Sequence, residues 1–251
     1  MKSIKTFVNS KFVNISNLLT FQDHKMDDES TKPQKCSSTE DFEPWVIGIH
    51  GRKGSGKDYF GSQVADFIET GGGLVGDLIS DDIATVLKDL LDEGSIHLVA
   101  FADFLKEFLV ARGDATIEET LAVRKTGGYR SNLIDTATSL RAQYGEEFFA
   151  RALCTRMEMI RIKNGTSVFI ITDLREKHEK TALLNYSSKT IFFHIHAPKR
   201  SGATFTREAG GNSDTLAKHS SHSSEIGLDA ETYDIETAKT NGFTWVDNDL
   251  K

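Results

Sequence analysis

The stretch from Val46 to Asp58, Val-Ile-Gly-Ile-His-Gly-Arg-Lys-Gly-Ser-Gly-Lys-Asp, constrains this chain more than any other. An apolar run passes through Gly51, Gly54 and Gly56 and ends in Lys57. A segment with Phe60, Val64, Phe67 and Ile68 at helical spacing follows. Strand, glycine-rich turn, lysine and helix form the context of a phosphate-binding loop. Glycine opens backbone conformations closed to other residues, so main-chain N–H groups can close on an anion. The next helix points its positive end at the same place. Lys57 would reach the outer phosphates of a nucleoside triphosphate. The competing reading is an ordinary glycine-rich turn. Asp58 stands where a hydroxyl residue usually offers a ligand to Mg²⁺. A carboxylate is also a hard oxygen ligand, and an acid in the first helical turn suits the helix dipole.

The net charge of -7 argues against a general nucleic-acid binder, and a local basic pocket remains compatible with it. Only Cys36 and Cys154 are present, which fits a reducing compartment such as the cytoplasm, and no disulfide framework or zinc cluster. No apolar run approaches the length that spans a membrane. Residues 1–44 read as a tail and linker: lysines with scattered apolar residues up to Gln22, then a polar, charged stretch. A transit peptide and a loosely ordered extension both fit the first part.

Beyond the tail, residues 45–251 read as one domain. Five apolar runs are expected as strands: Trp45–His50, Ser95–Ala102, Ser167–Thr172, Thr190–His196 and Gly242–Asn248. Helices are expected between them, among them Asp81–Leu91, Ala137–Tyr144 and Phe148–Ile162. Residues 113–136 read as a solvated loop or a substrate lid. The pattern predicts an α/β fold, a doubly wound five-stranded parallel sheet with helices on both faces. Ligands of such sheets bind outside the carboxyl ends of the strands. The glycine loop, Asp103, Asp173 and a basic segment at about 197–225 all fall there. Asp103 reads as a helix N-cap. Asp173 reads as a Mg²⁺ ligand or a cap. Arg175 reads as a phosphate fork or a surface ion pair. Lys199, Arg200 and Arg207 read as part of a closing lid or as a solvated basic loop. His194 and His196 read as sheet-face residues.

Taken as a set, these stretches resemble the phage-type deoxynucleoside monophosphate kinases, a phosphate-loop kinase family. The carriers are Gly54-Ser55-Gly56-Lys57-Asp58, Phe101-Ala102-Asp103-Phe104-Leu105-Lys106-Glu107 and Gln143-Tyr144-Gly145-Glu146. Thr172-Asp173-Leu174-Arg175 with His178-Glu179, and Ser224-Glu225-Ile226-Gly227-Leu228-Asp229, complete the set. Animal-type phosphomevalonate kinases share the loop variant, but they favour an arginine where Gln143 stands.

The resemblance implies a nucleoside-monophosphate-kinase-like fold with a lid at about 197–225. It implies an ATP-dependent phosphotransferase that makes a (deoxy)nucleoside diphosphate from the monophosphate. ATP would be the donor, held by Gly51, Gly54, Ser55, Gly56, Lys57, Asp58, Lys199 and Arg200. Mg²⁺ would sit at Asp58 and Asp173. Lys57, Asp173 and Arg175 would be catalytic. Asp103, Lys106, Arg141, Gln143 and Arg175 would face the acceptor. The partner is then a small-molecule substrate, with no nucleic acid or membrane, in the cytoplasm or, for a virus, the host cytoplasm. A phosphomevalonate kinase-like acceptor choice and a non-catalytic ATP-binding regulatory protein are the alternatives. Leu174 and Phe104 depart from the family pattern, and residues 71–94 look inserted. The final helix of the family has no counterpart after Val246. One sheet face would then be under-covered unless the tail or a partner subunit, as in a homodimer, packs on it.

Overall fold

A computed structural model of the chain describes residues 43–90, 94–122, 127–165, 168–199, 201, 228, 232 and 234–248. Five strands form one sheet: β1 (Trp45–His50), β2 (Ile96–Val99), β3 (Val168–Leu174), β4 (Thr190–His196) and β5 (Phe243–Asp247). All pairs are parallel and the order is β2-β3-β1-β4-β5. Among the described residues the α-helices are α1 (Lys57–Thr70), α2 (Asp81–Asp89), α3 (Phe101–Arg112), α4 (Ile117–Leu121), α5 (Gly127–Tyr144), α6 (Phe148–Asn164), α7 (Lys177–Tyr186) and α8 (Ile235–Thr240). The α/β class, the five parallel strands and the helices on both faces are as expected from the sequence.

Strand periodicity sorts the core. Ile47, Ile49, Val168, Ile170, Phe193 and Ile195 point to one face. There they pack with Phe60, Val64, Phe67 and Ile68 of α1 and Leu87 of α2. Val46, Phe169, Ile171, Phe192 and Phe243 point to the other. They meet Ala150, Leu153 and Met157 of α6, Leu183 of α7 and Ala238 of α8. The chain runs from β1 towards β2 in one direction along the sheet and from β2 through β5 in the other. Right-handed crossovers therefore send α1–α2 and α6–α8 to opposite faces. The connections part beside β1, so its carboxyl end opens into the crevice where such sheets bind ligands.

Close approach fixes α1 on the sheet. A Cβ on Gly61 would lie 2.5 Å from Thr172 Cγ2 and 3.3 Å from Ile49 Cδ1. Glycine is a poor helix former, so its presence in α1 marks a contact that a side chain would block. Gly71, at φ 70, ends the helix.

Several expectations need correcting. The stretch that looked inserted after α1 contributes to the core: Val75, on a 3-10 turn at Leu74–Asp77, and Leu87 of α2 are buried. At the last strand, Val246 is fully buried with the α1-side residues. The polar segment at 113–136 is largely helical in its described parts. Its α4 begins in a capping box, with Thr116 and Glu119 each bonding the other's backbone N–H. The Thr-x-x-Glu signature was present and its polar surroundings concealed it.

The chain divides into two compact units. One, Phe42–Ala102 with Leu140–Lys251, holds the sheet. The other takes in Asp103–Ser139, where Leu109, Ala115 and Tyr129 form a small core with Val110 and Leu133.

Candidate functional site

The loop after β1 is built from main-chain groups that are largely committed inward. Gly51 takes φ 154, and a Cβ there would stand 2.7 Å from the Ile195 carbonyl oxygen and 2.8 Å from Ser55 Oγ. No other residue fits that position. Gly54 and Gly56 lie in the left-handed region at φ 80 and 92. The Arg52 carbonyl accepts from Ser55 N (3.1 Å) and from Lys57 Nζ (3.0 Å). The Ser55 carbonyl accepts from Asn248 Nδ2 at 2.8 Å.

With the Ser55 carbonyl drawn towards Asn248, the N–H of the same peptide, that of Gly56, points the opposite way. Gly56 is the N-cap of α1 and brings no side-chain cap to its first turn. Ser55 is fully buried, and its Oγ has no hydrogen-bond partner among the described residues. A buried hydroxyl without a partner costs free energy that an anion's oxygen would return. Lys57 is 7% exposed, so its ammonium is held in a dry place. Asp58 is exposed on the first turn of α1, with its backbone carbonyl bonded by Ser62 Oγ at 3.1 Å. This donor set fits the phosphates of a nucleotide. The exposed Asp58 carboxylate fits a Mg²⁺ that keeps most of its water and phosphate ligands.

Beside the loop, the end of β3 carries a second group of polar residues. Asp173 accepts from Phe101 N (2.8 Å) and Ala102 N (3.0 Å), so it caps α3 from another strand. Glu179, 3% exposed, accepts from Arg175 N (2.8 Å) and Glu176 N (3.0 Å) and shapes the turn that carries Arg175. Burial and the nearby Asp173 charge push the Glu179 carboxyl up to about 8. Arg141, at the end of α5, lies over the Phe149 ring, 5.3 Å from its centroid. Its charge acts on Glu176 and His178. Arg141 Nε and His178 Nε2 are both buried without hydrogen-bond partners among the described residues. Burial, then the Arg141 charge, pushes the His178 imidazole down. Gln143 is exposed near the same helix end.

Three histidines lie along the strand ends. His50 Nδ1 meets the Leu174 carbonyl at 3.0 Å and ties β1 to the Asp173-bearing turn. His194 lies 5.1 Å from His50 and 4.8 Å from Trp245, centroid to centroid. Its burial pushes it down to about 3, assisted by His50, His196, Lys57 and Arg52. The sheet-face reading of His194 agrees with its 6% exposure.

Asp103 corrects a further expectation. The helix begins at Phe101, so Asp103 sits inside its first turn and Asp173 does the capping. Asp103 and Lys106 are paired at 3.0 Å within the smaller unit. Lys199 is exposed just past β4. Arg200, Arg207 and the lid segment from 202 to 225 fall outside the described residues, as do Ser224 to Gly227 and the tail to 42. Among the described residues no three His, Cys, Asp or Glu side chains gather to hold a metal. No helix among them is long and apolar enough to cross a membrane. Asn248, His50 and the Glu179 contacts were missed as parts of the site. Nothing local marks Asn248, which lies 193 positions from Ser55.

No family model matches the chain, and no curated protein does. Among solved structures, an unliganded sugar kinase from Janibacter sp. HTCC2649 matches at 17% identity. The alignment covers 83% of this chain and 87% of that one, at a TM-score of 0.41. At that score the likeness transfers no property to this chain.

Proposed function

We propose that this chain is an ATP- and Mg²⁺-dependent phosphotransferase that converts a (deoxy)nucleoside monophosphate to the diphosphate. One observation carries the reading. At the carboxyl end of the central strand, a three-glycine turn brings together a helix N-cap without a side-chain cap, a buried Ser55 hydroxyl with no partner among the described residues and a buried Lys57. Charge neutralisation and positioning are what phosphoryl transfer needs from a protein. A phosphate oxygen of the acceptor attacks the γ-phosphorus. The bond from that phosphorus to the bridging oxygen breaks, and ADP leaves with the electron pair. Gly51, Gly54, Ser55, Gly56 and Lys57 would hold the donor phosphates. Asp58 and Asp173 would hold Mg²⁺, which offsets charge on the β- and γ-oxygens when bound. Arg175 and Arg141, with Gln143, would meet the acceptor. Lys199 and Arg200 would close over the donor.

A second reading, nucleotide binding without transfer, draws support from Asp173, whose carboxylate is engaged by two backbone amides. A coupled assay with Mg·ATP and a panel of nucleoside monophosphates plus phosphomevalonate separates the readings. Diphosphate formation from a nucleotide supports the first, and turnover of phosphomevalonate alone changes the acceptor. ATP binding with no turnover of any acceptor supports the second.

A further inference from the structure

The carbonyl and the following N–H of a trans peptide point in opposite directions. Whatever holds the Ser55 carbonyl therefore also aims the Gly56 N–H. The holder is Asn248, from just past β5, with Nδ2 at 2.8 Å from the Ser55 oxygen. Asn248 is itself fixed, because its backbone N donates to the His196 carbonyl at 2.8 Å. That bond continues the β4–β5 ladder, in which His196 stands opposite Asp247. The strut therefore runs from the sheet to the loop through one side chain. On the loop side, Gly56 carries φ 92 and imposes no side-chain preference on its own orientation. The peptide can be turned by what bonds it, and Asn248 is the side chain on its carbonyl.

We infer that Asn248 is a positioning residue for the donor phosphates. Its amide turns the Ser55 carbonyl inward and presents the Gly56 N–H to the bound anion. This rests on the phosphate-loop reading above. The residue acts through the Gly56 peptide.

The test uses the full chain with Asn248→Ala and Asn248→Asp. Both keep the backbone bond to His196. The first removes the donor, and the second places an acceptor against the Ser55 carbonyl. Mg·ATP and inorganic pyrophosphate are titrated by calorimetry, and the Gly56 amide is followed by ¹⁵N–¹H NMR. Both ligands should bind about tenfold more weakly to the alanine variant, and more weakly still to the aspartate variant. The Gly56 resonance should shift in both variants, and KM for the monophosphate should stay at the wild-type value. Wild-type affinity in both variants overturns the inference. So does a parallel loss of donor affinity, acceptor affinity and melting temperature, which marks a general structural role. A wild type with no hold on Mg·ATP or pyrophosphate overturns the phosphate-loop reading and this inference together. That outcome is visible before any variant is made.

Discussion

Asp173, at the end of β3, accepts hydrogen bonds from the backbone N–H groups of Phe101 and its neighbour Ala102, and so caps a helix that follows β2. A carboxylate oxygen keeps acceptor capacity after one such bond, so capping and metal binding are compatible in one residue. The two roles separate by substitution. Asp173→Ala should destabilise the protein by about 0.5–2 kcal/mol through the lost cap, read by urea unfolding. Phe101 N and Ala102 N bond different oxygens of the carboxylate, so Asp173→Asn keeps one capping oxygen, sets an NH2 against the other N–H and should recover only part of that loss. A metal role predicts that the asparagine variant still loses activity at least tenfold and regains part of it at high Mg²⁺. Full activity at ordinary Mg²⁺ would leave Asp173 as a cap alone.

Lys57→Ala removes a buried ammonium that donates to the Arg52 carbonyl. Phosphoryl transfer should fall by roughly 10²–10³-fold, the range seen when a charge-stabilising donor is deleted. Circular dichroism should remain that of the folded protein. Unchanged turnover would remove Lys57 from the catalytic set.

Asp58 is exposed, so Asp58→Ala should leave the melting temperature within about 1–2 °C of wild type, as surface substitutions usually do. If its carboxylate carries Mg²⁺, half-maximal activity should need several-fold more of the ion. A superimposable Mg²⁺ titration would make it a helix-start acid.

His194 supplies the pH prediction. Its folded-state value is pushed down to about 3 from an unfolded value near 6.5, chiefly by burial. His50, His196, Lys57 and Arg52 face it and add to the effect. The folded protein then holds fewer protons than the unfolded chain between those limits. The stabilisation is present above pH 6.5 and is lost as pH falls towards 3. Between pH 7 and 5, urea unfolding of the wild type should lose about 1–2 kcal/mol from this group, at roughly 1.4 kcal/mol per unit. His194→Gln should flatten that part of the curve. An unchanged slope would assign acid sensitivity to other groups.

The strands were legible because each is a short apolar run bounded by polar residues. Thr190–His196 and Trp45–His50 agree residue for residue with expectation. The glycine loop was legible because its spacing and its lysine are local. Helix boundaries in polar sequence were not, as α4 and the start of α5 show. What stayed hidden depends on strand order. Asp173 reaches Phe101 because β3 lies beside β2, and Asn248 reaches Ser55 because β5 lies beside β4. Glu179 stands near Asp173 and Arg175 in the sequence, but only the folded turn shows that it bonds two amides.

The contact of Gly61 with Thr172 reaches beyond this one chain. A methyl group added at 61 and the methyl already present at 172 compete for one small volume between the first helix and the sheet. Related chains that carry alanine at the first position should therefore carry serine or glycine at the second. Introduced together, the two changes should restore most of what either the first alone, or a shifted helix, would take from nucleotide binding.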